Sequence, residues 1–345
     1  MKKSALVITS INSPESSALW AYGFECRQRN IPFYVIGDRK SPNDFHLAGC
    51  EYWPLEKQRA LKCRLASLLP ESHYARKNLG YLIALRNGAE LIIETDDDNF
   101  PNDNFWDTFN KSETLKTCTI STSGWTNVYQ FFSDREVWPR GYPLEMLKQN
   151  GLSFPECDEQ TVTCPIQQGL ADNNPDVDAI FRLTRQLPLN FQKNISIALG
   201  RGAWSPFNSQ NTIWFKSVAP LMYLPSYCNF RLSDIWRSFI AQRILWVNDW
   251  HTLFFSPTVY QQRNHHDLLE DFNDEIPGYL HNRTIAKELE ELELKPGTQA
   301  LCANLIACYE LFIEHGWVDH RERQLVEAWI EDIADDPPTE GSVTI

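Results

Sequence analysis

The 345 residues contain no CxxC pair, no GxGxxG turn and no GxxxxGK[ST] loop. These absences give no support to a zinc ribbon, a Rossmann dinucleotide fingerprint or a P-loop. No stretch approaches the ~18 uninterrupted apolar residues of a membrane span. The opening MKKSALVITSIN is also too short in its apolar part for a signal peptide. Positive charge is the scarcer sign, with 32 basic against 45 acidic residues and a net charge of -13, which argues against a broad basic face for nucleic acid. Repeats and low-complexity tracts are missing too. The nine cysteines are scattered and odd in number, and they read as reduced core thiols of a soluble, cytoplasmic protein. The chain does have apolar residues at 43% and 12 tryptophans, enough for a large packed globule.

Apolar runs alternate with helical stretches over the first hundred residues. SALVITSI reads as a strand, followed by a helix from Pro14, a second strand at Phe33 to Ile36, helices over 57–69 and 73–88, and a third strand at Leu91-Ile92-Ile93. Asn87-Gly88 reads as a helix C-cap. Strand–helix alternation with polar residues at each strand's end predicts a parallel α/β sheet whose ligand lies outside the carboxyl ends of the strands. That brings Thr9, Ser10, Asn12, Asp38 and Asp96-Asp97-Asp98 together. Residues 101–230 are rich in Pro, Asn and aromatics and show few clean periodicities. From about residue 267 the pattern becomes helical, which sets the expected division: 1–266 as the main domain and 267–345 as a helical extension packed on it.

Three successive aspartates at a strand end suit a hard divalent cation, Mg²⁺ or Mn²⁺, and through it a nucleoside diphosphate. Alternate carboxylates, Asp96 and Asp98, would reach the metal, with Asp97 free for a sugar hydroxyl. A solvated acidic turn capping the next helix is the competing reading. Arg76 and Lys77 lie one helix upstream, either to meet a pyrophosphate or simply to begin a helix. Arg140 sits in the WPRGYPL turn, where a guanidinium could fork a phosphate. Asp176 and Asp178 precede an apolar segment, and Arg231 and Asp234 stand before another; helix capping competes at both places. His265 and His266 are adjacent and supply nitrogens for a metal shell if the fold returns them to the aspartates.

Taken in order, DDDN, RGYPL, PDVDAIFRLT, PFNSQNT, RLSDIWR and QRNHHDLLEDF resemble the STELLO-type glycosyltransferases, and more distantly the reversibly glycosylated polypeptides, the UDP-arabinopyranose mutases. The resemblance covers residues 5 to 280. It implies a GT-A-type nucleotide-sugar-binding α/β sandwich, with a mixed, mainly parallel central sheet and a C-terminal helical segment. It further implies Asp96 and Asp98 on Mn²⁺ or Mg²⁺, with His266 as a third ligand and His265 and His251 as competitors. Thr9, Asn12, Asp38, Lys77, Asp97, Arg140 and Arg231 would hold a UDP-type sugar donor, and Asp234 or Asp178 would stand at the reaction centre. The implied reaction is hexosyl or pentosyl transfer to an unspecified glycan or other acceptor. A nucleotide-sugar mutase and a non-enzymatic acidic scaffold are the alternatives. The Golgi location of the plant STELLO proteins does not transfer.

Overall fold

The computed structural model describes residues 3–148, 158–264 and 267–334. The first part of the chain builds β1 (Ser4–Thr9), α1 (Ser17–Arg29), β2 (Phe33–Ile36), β3 (Glu51–Trp53), the short helices α2 (Leu55–Arg59) and α3 (Arg64–Leu68), then α4 (Lys77–Arg86) and β4 (Leu91–Thr95). Its four strands lie side by side in the order β3-β2-β1-β4, all parallel. β1 is buried on both faces, which is why it reads as an unbroken apolar run. Ala5 and Val7 enter the core on one side of the sheet, and Leu6 and Ile8 enter the core on the other. Gly80 lets α4 approach the sheet closely, since a Cβ there would lie 2.4 Å from Val7 Cγ1.

The expected helix over 57–69 is instead two short helices, and the one over 73–88 begins as a 3-10 turn at Tyr74–Arg76 before α4. Gly88 ends it with φ of 82°, as the Asn-Gly pair predicts.

Beyond β4 the strand directions mix. β5 (Asn99–Pro101), β6 (Thr114–Ile120), β7 (Gly124–Trp125), β8 (Asp158–Thr163), β9 (Ile166–Asp172), β10 (Ser196–Leu199), β11 (Ala203–Trp204), β12 (Asn211–Phe215) and β13 (Thr252–Gln261) follow in the chain. The large sheet continues β4-β12-β9-β13-β10-β6-β8, with β5 paired to β13, while β7 and β11 form a separate ribbon. β12 runs antiparallel to both neighbours, whereas β9 and β13 are parallel. The result is a mixed α/β sandwich with a parallel edge, the fold class expected from the sequence.

α5 (Ala179–Thr184) and α6 (Ser233–Trp246) interrupt the strands, and α7 (Leu268–Glu291), α8 (Leu301–Glu314) and α9 (Glu322–Ala334) close the described chain. The last helices are sewn into the first half. Asp332 of α9 accepts from the backbone N–H groups of Arg64 and Leu65 at 3.1 and 2.7 Å, capping α3 from 267 residues away. A buried ion pair ties β4 to α6: Glu94 Oε1 accepts from Arg237 Nη2 and Trp214 Nε1, both at 2.7 Å, while Tyr81 donates to Oε2. Among the described residues no helix is long and apolar enough to cross a membrane. Cys26, Cys50, Cys63, Cys164, Cys228, Cys302 and Cys308 are free thiols. Cys118 is disulfide-bonded, which corrects the reading of every cysteine as reduced.

Candidate functional site

The carboxyl ends of β1, β2 and β4 open into a cavity of about 640 Å³, lined by Thr9, Asn12, Asp38, the three aspartates, Arg140, Asp176, Arg231 and Asp234 among others. Parallel strands release their chains at the same edge, so residues far apart in sequence meet there. Each aspartate has its own partners. Asp96 Oδ1 accepts from Tyr74 Oη at 2.6 Å and Lys77 Nζ at 3.1 Å. Asp97 Oδ2 accepts from Ser10 Oγ at 2.5 Å and Asn12 Nδ2 at 2.9 Å. Both oxygens of Asp98 face the Gln261 amide, at 3.1 and 3.0 Å. Burial pushes Asp97 and Asp98 up to about 6, and the neighbouring Asp96 charge adds to it in both.

Among the described residues the three carboxylates thus have one ion-pair partner, the buried Lys77, and it reaches Asp96 alone. That deficit of positive charge fits a hard divalent cation, which can take one or two protein carboxylates and complete its shell with water and substrate phosphates. A closed protein cage is not formed: among the described residues no three His, Cys, Asp or Glu converge on one point. Thr9 Oγ1 is buried at the cavity wall without a hydrogen-bond partner among the described residues.

Asp38 uses both oxygens on backbone amides, taking Ser72 N at 2.7 Å, Arg39 N at 2.8 Å and His73 N at 2.8 Å. It clamps the end of β2 to the turn that begins the 3-10 segment, so Tyr74 is delivered to Asp96. Tyr74 Oη is 2.7 Å from Ser209 Oγ, and Ser209 reaches Asp234 Oδ2 through both N and Oγ at 3.3 Å. A continuous hydrogen-bonded path thus joins the aspartate cluster to Asp234 at the start of α6. Burial and the Asp96 charge hold the Tyr74 phenol well above its ordinary range, so it remains a neutral donor.

Arg140 differs from the sequence expectation of a phosphate contact. Its guanidinium forks Asp176 at 2.8 and 2.8 Å and Asp234 at 3.1 and 3.0 Å, and it donates to the Arg231 carbonyl as well. Burial works against the charged form of Asp234, but the Arg140 charge and hydrogen bonds outweigh it and keep the carboxylate below its usual range. Lys77 is likewise no ligand for a pyrophosphate. Its ammonium is fully buried and is taken by Tyr74 Oη, Thr95 O and Asp96 at 2.6, 2.9 and 3.1 Å. Asp178 is a helix cap, not a base. Its oxygens accept from Phe181 N and Trp138 Nε1, both at 2.7 Å, in a fully buried position outside the cavity lining. His251 precedes β13 while Asp98 meets Gln261 at that strand's far end, about 33 Å along a ten-residue strand. It cannot share a metal with the aspartates. His265 and His266 lie outside the described residues.

Several lining residues escaped the sequence reading. Tyr74, Ser209 and Gln261 are ordinary polar residues whose importance comes only from the carboxylates they meet, and no local pattern marks them. Arg182 and Arg263 also line the cavity; Arg263 stands beside the double histidine, where the nitrogens drew attention instead.

A family model described as STELLO glycosyltransferases matches residues 231–336, the part of the chain holding Arg231, Asp234, Arg263 and the C-terminal helices. Two Arabidopsis thaliana proteins are similar over more of it. Probable glycosyltransferase STELLO2 is 26% identical over 320 residues, 87% of this chain. Probable glycosyltransferase STELLO1 is 30% identical over 246 residues, 66% of this chain. The chain spans 41% and 32% of the lengths of those two relatives.

Proposed function

We propose, for a chain that belongs to the STELLO glycosyltransferase family, that the cavity binds a nucleoside-diphosphate sugar of the UDP type and transfers its sugar to an acceptor hydroxyl. The observation that carries this reading is the hydrogen-bonded path from Asp96 through Tyr74 and Ser209 to Asp234, which fixes the candidate leaving-group end and the candidate reaction centre in one frame.

In this reading Asp98 and Asp96 hold Mg²⁺ or Mn²⁺, which supplies charge neutralisation for the departing nucleoside diphosphate. Asp97, oriented by Ser10 and Asn12, addresses a ribose or sugar hydroxyl with its remaining oxygen. The loop at Thr9 to Asn12 and the Asp38 turn line the nucleoside end, with Ile11 and Phe230 as half-exposed apolar surfaces at 49% and 53% for a base or sugar face. Asp234 is kept ionised and pinned by Arg140, so it orients the acceptor hydroxyl. Its lowered affinity for protons makes it a weak base, and proton transfer then comes late, once the attacking oxygen has become acidic.

Binding of UDP and UDP-sugars with and without Mn²⁺, followed by calorimetry and by nucleotide release, tests the reading. Asp98→Ala should abolish the Mn²⁺-dependent part of binding while keeping a cooperative melt. Wild-type Mn²⁺-linked stabilisation in that variant overturns the cation assignment. Failure of every nucleotide to bind, with or without metal, overturns the donor.

A further inference from the structure

Facing the same cavity is a basic wall made by Arg182 in α5, Arg231 just before α6, and Arg263 two residues beyond β13. Asp271 joins two of these. Its Oδ2 takes Arg263 Nη2 at 2.6 Å, and its Oδ1 lies 3.7 Å from Arg231 Nε. Arg231 turns its Nη2 to Glu275 at 2.6 Å. Arg182 donates to neutral oxygens, Pro175 O at 2.8 Å and Val177 O and Asn174 Oδ1 at 3.3 Å, and makes no ion pair among the described residues. Burial, and after it the like charge of Arg263, pushes Arg182 down to about 9. Burial and Arg231 lower Arg263 in turn.

Arg231 and Arg263 thus take Asp271 and Glu275 between them, while Arg182 feels Asp176 and Asp271 only at a distance, without an ion pair among the described residues, in a partly desolvated space. A guanidinium carries five N–H groups, and the bonds just given use three on Arg182. An anion with several oxygens relieves the mutual repulsion and matches the remaining donors. Arg140 takes no part, because Asp176 and Asp234 occupy it. The wall also has a fixed relation to the aspartates. Asp98 O accepts from Gln262 N at 3.0 Å, so Arg263 extends from a segment pinned to Asp98.

We infer that Arg182, Arg231 and Arg263 form an oxyanion subsite of the cavity, which takes a phosphate or carboxylate group without a metal bound at the aspartates. The oxyanion comes either from the donor's diphosphate or from a negatively charged group on the acceptor. Only its assignment to one of these rests on the nucleotide-sugar reading.

Titration of the full chain with inorganic pyrophosphate in EDTA at low salt tests the subsite alone. Wild type binds, and Arg263→Gln and Arg182→Gln each weaken binding roughly tenfold or more, while Asp98→Asn does not weaken it. Arg182 also holds the 174–177 turn, so if R182Q melts early, R263Q decides, with R263K recovering part of the affinity. No pyrophosphate binding by wild type, or unchanged affinity in both glutamine variants, overturns the inference. The second arm compares UDP with uridine in Mn²⁺. If R263Q weakens UDP but not uridine, the diphosphate occupies the wall. If pyrophosphate still binds the UDP-saturated protein and R263Q removes that binding, the wall serves an anionic acceptor. Pyrophosphate binding without any UDP affinity keeps the subsite and removes the nucleotide-sugar reading, and UDP binding without a pyrophosphate site does the reverse.

Discussion

Arg140→Met separates two roles that the RGYP turn allows, a phosphate contact and a structural clamp. The guanidinium, 6% exposed, makes paired hydrogen bonds to both Asp176 and Asp234. Removing one partner of a buried ion pair costs about 3–5 kcal/mol, because the other charge stays buried without compensation. Here one cation serves two carboxylates, so the upper end of that range applies. In a chain of this size that corresponds to a fall in Tm on the order of 5–10 °C. The pH dependence has a definite sign. In the wild type, Asp234 has a lowered pKa, so its contribution is present above the unfolded value of 3.8 and is lost as pH falls through the folded one. Without Arg140 the same burial raises it, and the destabilisation grows as pH rises. Melting curves of wild type and R140M should therefore diverge from pH 5 to pH 8, and Asp234→Asn added to R140M should recover part of the loss. Arg140→Lys, unable to fork two carboxylates, should also lose stability. A melt within about 1 °C of wild type across that range, together with a tenfold loss of UDP affinity in R140K, would refute the clamp and restore the phosphate contact.

Asp178→Asn keeps the cap oxygen but sets an NH₂ against Trp138 Nε1, so it should lower Tm while leaving the turnover of the folded protein within a few-fold of wild type, whereas Asp234→Asn should abolish it; Asp178→Ala removes the cap and leaves the Trp138 donor unpaired and should cost about 2–4 kcal/mol, read by urea unfolding. Glu322 is pushed up to about 7 by burial, so the folded state retains a proton that the unfolded chain releases near 4.5. Its contribution favours the fold below that value and is lost as pH rises through about 7. Glu322→Gln should lower Tm, since it puts an NH₂ against the Ser226 and Tyr227 amides, yet flatten the decline in Tm between pH 6 and pH 8; an unchanged slope would count against the buried proton. Gly80→Ala places a methyl 2.4 Å from Val7 Cγ1 and should destabilise by roughly 1–3 kcal/mol, with Val7→Ala recovering part of the loss; a neutral G80A would mean that α4 can lift off the sheet at little cost.

The parallel edge of the sheet was legible because β1, β2 and β4 are buried on both faces and so read as apolar runs with polar ends. The middle of the chain was not, for a physical reason. β9 and β12 are buried strands that carry Gln167, Gln168, Asn211 and Thr212; the last three bond to one another and to neighbouring backbone, and Gln167 donates to Ser112 O and Cys164 O. Gln168 Oε1 takes Asn208 N at 2.9 Å and Thr212 Oγ1 at 3.0 Å, and Asn211 Nδ2 reaches Leu170 O at 3.0 Å. A buried polar network erases the alternation by which a strand is read. The break between α2 and α3 was hidden for a related reason, since the acceptor that caps α3 is Asp332, far away in the chain.

The same logic separates the site residues. Composition and spacing identify which side chains carry charge, but the role of a charge depends on which groups take its hydrogen bonds. Lys77 and Asp178 lie off the cavity lining with their polar groups taken up by protein partners, so each organises its neighbours, while Arg140 and Asp234 line the cavity but are bound to each other. Among the described residues Asp98 takes only neutral donors, the Gln261 amide on both oxygens and the Asn264 backbone, and it is held at about 6. Among the described residues Arg182 is left with carbonyl and amide oxygens alone. A carboxylate without a cation and a guanidinium without an ion pair among the described residues, on walls of one cavity, are complementary to a ligand that brings both signs: a polyvalent oxyanion accompanied by a divalent metal.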